Sequence, residues 1–178
     1  MKRKIATIIL MLSLAFDAAA QLPPGLAKKR PAGPSIAVKI KNLGCTTSAG
    51  SDTFEISSYS FGAEQTSSGS SSGGAGGKPT LSALNLTKGF GECSPRLFGA
   101  VVTGNHFPSA DLLQQDGDGN TVLTINLTDA IISSYEIAGS ESVDRPNESI
   151  SIQFEKICIT GANSTDKLCY DVARGTTF

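Results

Sequence analysis

The stretch "CSPRLFGAVVTGNH", Cys93 to His106, is the one segment with a helical pattern. Ser94 suits an N-cap, Pro95 the first helical position and Gly104 the residue just past the end. Apolar residues recur between them at helical spacing: Leu97, Phe98 and Val101. The stretch predicts a single short helix.

The segments on both sides of this helix alternate between apolar and polar residues, as half-buried strands do. Clear examples are "SIAVKIKNL" from Ser35, "TVLTINL" from Thr121 and "SISIQF" from Ser149. The alternation changes phase within "TFEISSYSF", from Phe54 and Ile56 to Tyr59 and Phe61, and again between Phe154 and Ile157. Such changes indicate a bulge or strong coiling. The chain is therefore predicted to be mainly β, as a barrel or sandwich with one helix.

The N-terminus predicts export. A basic head, the apolar run Ile5 to Phe16 and the small residues before Gln21 form a signal peptide over residues 1–20. A Pro/Gly/Lys-rich linker is predicted over residues 21–35, and one domain over 36–178. We expect a periplasmic or extracellular protein that has no membrane association after signal cleavage.

The charge of the processed chain argues against a nucleic-acid partner. The sequence has 15 basic and 16 acidic residues, and the predicted signal peptide contains three of the basic residues and one of the acidic ones. The remaining chain therefore carries a net charge of −3. This balance does not favour binding to nucleic acid or to an anionic membrane.

Four cysteines in an exported chain predict two disulfides, for which three pairings exist. One pairing is favoured because a hairpin centred between Asn163 and Ser164 sets Cys158 opposite Cys169. Cys45 and Cys93 would then form the second bond. No Cys-x-x-Cys spacing indicates zinc or dithiol chemistry.

The Gly/Ser-rich run "SSGSSSGGAGGKPT", Ser67 to Thr80, ends in Gly-Lys but does not match a phosphate-binding loop. Ser72 stands where the first glycine is needed, and Pro79 replaces the hydroxyl residue. No nucleotide or other cofactor is predicted.

No catalytic or metal-binding residues are predicted, and the protein is not expected to be an enzyme. The run Asp116 to Asn120 starts like a calcium loop but lacks its later glycine and glutamate, so a tight turn is expected. His106 is the only histidine, and the sequence has no nucleophile motif with which it could form a catalytic pair. Five acids near strand ends are expected to be solvated: Asp129, Glu136, Glu141, Asp144 and Glu148.

Four segments in order resemble the haemolysin-coregulated protein family, Hcp, which forms the inner tube of type VI secretion machines. They are "FEISSYSFG" from Phe54, "GGKPTLSALNLTK" from Gly76, "CSPRLFGAVVTGNHF" from Cys93 and "SYEIAGSESVDRPNESISIQFEKI" from Ser134. The resemblance covers roughly residue 36 to the C-terminus.

The resemblance implies a small β-barrel of two sheets with one short flanking α-helix. It also implies a structural protein that assembles with itself into hexameric rings, which stack into tubes and can carry effector proteins in the lumen. It gives a ring-stacking role to one loop: Ser67, Ser68, Gly69, Ser70, Ser71, Ser72, Gly73, Gly74, Ala75, Gly76 and Gly77. The alternative is an exported, non-enzymatic binding module built on the same barrel.

Overall fold

The computed structural model describes residues 33–65, 78–162 and 165–178. Within them lie one helix, α1 (Ser94–Thr103), and the following strands: β1 (Ser35–Ile40), β2 (Thr46–Thr47), β3 (Gly50–Ser51), β4 (Thr53–Glu55), β5 (Ser58–Ser60), β6 (Ala63–Glu64), β7 (Thr80–Leu81), β8 (Leu84–Gly89), β9 (His106–Gln115), β10 (Thr121–Ala138), β11 (Asn147–Gly161), β12 (Lys167–Asp171) and β13 (Thr176–Thr177). The predicted mainly β fold with one short helix is confirmed.

Nine of these strands form one antiparallel sheet. Its main path runs β13-β12-β11-β10-β9-β1-β4, while β8 pairs with the first half of β11, and β5 pairs with β8. Two short ribbons, β2-β3 and β6-β7, complete the described pairings. The strand order of the large sheet is thus an open one within the described residues.

One end of the main path, β4, and the end of the side branch, β5, are nevertheless consecutive in the chain. Only Ile56 and Ser57 separate them, and their backbone N–H groups bond in opposite directions. Ile56 donates to the Ile36 carbonyl on β1 at 3.0 Å, and Ser57 donates to the Thr87 carbonyl on β8 at 2.8 Å. The sheet therefore curls so that residues 53–60 link β4 to the β8 branch, although no strand pairing closes it into the barrel that the resemblance implies.

The phase change predicted between Phe154 and Ile157 is confirmed in β11, and β9 and β10 change phase at the same level without a sequence prediction. Buried residues change parity at one level of the sheet, where Thr128 on β10 is opposite Ser109 on β9 and Lys156 on β11. The flanking buried pairs are Phe107 and Ala110, Leu127 and Ala130, and Ile152 and Ile157. Each strand thus buries one face below this level and the other face above it. A strongly coiled sheet can in this way enclose a single core.

The helix begins one residue earlier than the sequence suggests. Cys93 is the N-cap, and Ser94 lies inside the first turn. The Ser94 hydroxyl accepts a hydrogen bond from the Gly91 amide instead of capping the helix. Gly104 ends α1 with φ 65°, in the left-handed conformation that glycine adopts without a Cβ penalty. The helix buries Leu97 and Ala100 against the sheet but leaves Phe98 exposed.

Candidate functional site

Both disulfides are present in the structure, in the pairing that the hairpin argument favours. Cys158 and Cys169 are directly opposite each other on β11 and β12. Cys45 and Cys93 join the loop after β1 to the start of α1, across 48 residues of chain. The first bond crosslinks two paired strands, and the second crosslinks a loop to the helix.

The Gly/Ser-rich loop Ser67–Gly77 lies outside the described residues. Its two flanks are paired, because Ala63 and Glu64 of β6 oppose Leu81 and Thr80 of β7. The loop therefore starts and ends at one antiparallel ribbon.

A buried polar cluster lies at the start of α1, and we call it the helix-start cluster. Lys88 on β8 and Glu148 on β11 are directly opposite each other on the core side, with Nζ and Oε2 2.6 Å apart. Lys88 also donates to Ser94 Oγ at 3.0 Å, and the Gly91 amide donates to the same hydroxyl at 2.8 Å. Tyr135 on β10 donates its hydroxyl proton to Glu148 Oε1. The cluster joins three strands of the curled sheet to the helix.

This cluster corrects one prediction. Glu148 is not a solvated charge, since its exposed fraction is 0%, and that of Lys88 is 4%. The alternation of the sequence could have indicated this burial. Lys88 lies on the same face of β8 as the buried residues Leu84 and Leu86, and Glu148 lies on the same face of β11 as Ile150 and Ile152. Two opposite charges on the core faces of two strands indicate a cross-strand pair.

The cluster is organised for stability. Both Glu148 oxygens accept hydrogen bonds, and the Lys88 ammonium is 5.8 Å from the centroid of the Phe54 ring. Burial, followed by the hydrogen bond to Glu148 and its negative charge, raises the pKa of Tyr135 well above its ordinary value of 10.0. Because each charged group is already paired, the cluster offers neither a free base nor a free acid.

The other acids behave as the sequence predicts. Glu136, Glu141 and Asp144 are exposed, and Asp129 makes a solvent-facing contact of 3.2 Å with His106 Nδ1. Asp116 caps its own turn by accepting from the amides of Asp118 and Asn120 at 2.9 Å.

Among residues 33–65, 78–162 and 165–178, no group of three His, Cys, Asp or Glu side chains is arranged to hold a metal ion. No helix in the described part of the chain is long and apolar enough to cross a membrane.

One exposed apolar surface surrounds the outer side of α1, and we call it the helix face. Phe98 is 54% exposed and lies with its ring centroid 6.0 Å from that of Tyr135. Val102, one helical turn later, is 63% exposed, and Ile137, two residues beyond Tyr135 on β10, is 51% exposed. Adjacent exposed apolar side chains of this kind are typical of a contact surface.

A second apolar surface lies on β12, and we call it the strand groove. It has a volume of about 210 Å³ and is lined by Phe61, Ala63, Pro79, Leu81, Ile157, Ile159, Leu168, Tyr170 and Thr177. Leu168 at its edge is 67% exposed. Ile137 and Ile159 stand near opposite ends of the β10-β11 pair, since Ile137 is opposite Glu148 and Ile159 is opposite Ile125. The groove and the helix face are therefore two separate surfaces.

Solved structures of an Hcp protein and of a type VI secretion system effector share this fold. The crystal structure of Hcp1 from Salmonella typhimurium superposes with a TM-score of 0.70 at 20% identity, over 82% of this chain and 99% of that one. A type VI secretion system effector from Yersinia pestis superposes with a TM-score of 0.58 at 22% identity, over 77% and 99%. These likenesses establish the fold.

Sequence comparison establishes the family. Protein hcp1 of Pseudomonas aeruginosa is 31% identical over 83 residues, which are 45% of this chain and 51% of the relative. The chain thus spans about half the length of that relative. The family model described as "Type VI secretion system effector, Hcp" matches residues 39–160, more than half of the chain. The chain therefore belongs to the Hcp family of type VI secretion proteins.

Proposed function

We propose that this protein is a structural subunit that assembles with copies of itself into six-membered rings of a type VI secretion tube. Membership of the Hcp family supports this role. In this role the lumen of the ring carries effector proteins, and the subunit acts on no substrate.

The observation that carries the proposal is the pair of apolar surfaces. A ring of identical subunits needs a heterologous contact, in which one patch of a subunit meets a different patch of its neighbour. The helix face and the strand groove are two such patches on separate parts of one molecule. Exposed apolar side chains such as Phe98, Val102 and Leu168 are typical of surfaces that are buried on association.

Ring stacking through the loop Ser67–Gly77 is part of the same proposal. The loop leaves and returns through the β6-β7 ribbon, which borders the strand groove through Ala63 and Leu81. A contact made there between rings would lie next to a surface already suited to association. Shortening the loop is expected to leave single rings intact and to abolish stacks.

The test is the mass of residues 21–178 in solution, measured by light scattering after chromatography under non-reducing conditions. We expect a species about six times the monomer mass, as cyclic symmetry of the family type requires. Leu168→Glu places a charge on an apolar contact and should reduce this species, whereas Lys167→Glu, on the other side of β12, is the matched control. A monomer at high concentration would contradict the proposal.

The alternative, an exported binding module on the same fold, is favoured by one observation. The strand groove is concave and wholly apolar, as small-molecule and peptide sites often are. A monomeric protein that retains a ligand from periplasmic extract, and loses it in Leu168→Glu, would favour this role over the ring.

A further inference from the structure

The two disulfides occupy different environments. Cys45 and Cys93 are 8% and 1% exposed, and both belong to the apolar core. Cys158 is only half-buried, whereas its partner Cys169 is 6% exposed, and neither of them is part of the core cluster. A thiol in solution can therefore approach the second bond from the side of Cys158, whereas both cysteines of the first bond lie in the core.

The Cys158–Cys169 bond lies on a polar face of the sheet. Paired positions across β9, β10, β11 and β12 place Asp111, Asn126, Cys158 and Cys169 in one row. Asn126 donates to Asp111 Oδ1 at 2.9 Å within this row. The adjoining residues Ile157 and Tyr170 point to the other side, into the strand groove. The bond therefore lies on the face opposite the groove, where Cys169 and Asp171 of β12 are buried and Cys158 of β11 is half-buried.

The Cys158–Cys169 bond also crosslinks β12, a short strand, to β11. β12 is near the edge of the sheet, between β11 and the two-residue strand β13. Five paired positions connect β12 to β11, and the crosslink joins the central pair. Short strands near a sheet edge open more readily than central ones.

We propose that Cys158–Cys169 is a thiol–disulfide exchange site that controls whether β12 is held in place, while Cys45–Cys93 is a permanent structural bond. The exchange partner is a dithiol. Its thiolate attacks Sγ of Cys158, the Cys158–Cys169 bond breaks, and Cys169 leaves as a thiolate that takes up a proton. The second thiol of the partner then releases Cys158 from the mixed disulfide, so that the partner is oxidised as the protein gains two thiols.

This site would regulate assembly, a step of the inference that rests on the proposed function. Leu168 and Tyr170 line the strand groove from β12. When β12 is free to leave the sheet, the groove loses that wall and can no longer serve as a defined contact surface. The oxidised protein is then the form that associates.

Selective alkylation tests the exchange site directly. The protein purified after export is treated with dithiothreitol under native conditions, alkylated with iodoacetamide and analysed by mass spectrometry of its peptides. We expect Cys158 and Cys169 to be labelled at least about tenfold faster than Cys45 and Cys93, because reduction depends on access to the sulfur. Equal rates, or faster labelling of Cys45 and Cys93, would overturn the proposal.

A second measurement tests the consequence for β12 and separates it from the proposed function. Hydrogen exchange of the Leu168 to Tyr170 amides should be faster in Cys158→Ala/Cys169→Ala and in the reduced protein, with the amides of β9 unchanged. Unchanged protection of β12 in both samples would refute control of this strand. If the oxidised protein is monomeric, the ring proposal fails while the labelling and exchange results still decide the switch. If oxidised rings persist unchanged after selective reduction, only the regulatory step fails.

Discussion

At the scale of single residues, the Lys88–Glu148 pair is the most consequential contact. Both side chains are buried, and their stability depends on mutual neutralisation together with Ser94 and Tyr135. A buried ion pair adds little compared with an apolar pair of similar size. Removal of one partner, however, leaves an uncompensated charge inside the protein.

Glu148→Gln should lower the free energy of unfolding by about 3–5 kcal/mol, because the Lys88 charge then lacks its counterion. Guanidinium denaturation of the oxidised protein measures the change. Glu141→Gln, at an exposed position of the β10-β11 connection, is the control and should stay within about 0.5 kcal/mol. The double variant Lys88→Met/Glu148→Leu should recover most of the loss, and a double variant as unstable as Glu148→Gln would contradict the account.

Tyr135 should make stability depend on alkaline pH. Its pKa is raised in the folded state, so the native protein keeps the phenolic proton where the unfolded chain, at about 10.0, has lost it. Unfolding then releases a proton, and stability falls as the pH rises above 10.0 toward the folded pKa. Tyr135→Phe removes this titration and should show a shallower decline between about pH 9 and pH 11 in denaturant titrations. Parallel curves for the two proteins would show that this proton is not linked to folding.

At the scale of elements, α1 shows that the residues at its two ends help to determine whether a short helix forms. The helix has Pro95 early, and Gly104 in the left-handed conformation closes it, with amide bonds back to the last turn. With ten residues it is too short to be stable by itself, so its packing on β10 and its caps determine whether it forms. Cys93 at the N-cap makes no side-chain capping bond, and its disulfide fixes that end of the helix instead.

Two glycine substitutions in and after this helix should have opposite effects. Gly104→Ala should cost about 1–2 kcal/mol, since φ 65° is strained for any residue with a Cβ although no neighbouring atom would clash. Gly99→Ala lies inside the helix with equally open surroundings and should stabilise the protein by about 0.5–1 kcal/mol. Thermal and denaturant unfolding measure both. The same sign for the two variants would indicate that packing, not backbone conformation, controls these positions.

At the scale of the whole molecule, the fold depends on long-range links between parts of one curled sheet. Residues 53–60 connect β1 to β8, while the helix-start cluster joins β8, β10 and β11 to α1. The Cys45–Cys93 bond crosslinks the same region from the other side. These long-range connections mean that the core forms as one cooperative unit.

The two disulfides should therefore contribute unequally to global stability. Loop-closure entropy predicts a loss of about 4 kcal/mol for Cys45→Ala/Cys93→Ala and about 3 kcal/mol for Cys158→Ala/Cys169→Ala. The sequence separations behind these values are 48 and 11 residues. Denaturant unfolding without reductant measures both, with the wild-type protein as reference. A larger loss from the Cys158–Cys169 variant would show that native-state contacts outweigh loop closure.

The sequence by itself determined the helix, the main strands and the Cys158–Cys169 bond, because these depend on local information. Alternation marked the main strands and the phase change in β11, the Pro and Gly residues marked the helix, and a predicted hairpin put Cys158 opposite Cys169. The four Hcp-like segments indicated the family in the same way.

Only the tertiary structure decided which residues meet across the sheet. The pairing of Lys88 with Glu148 joins residues 60 positions apart, and no local pattern names the partner of either charge. The exposure of Phe98 and the groove beside Leu168 depend on how α1 and β12 pack. Local sequence fixes which backbone conformation a segment prefers, whereas burial and surface shape depend on contacts between distant segments.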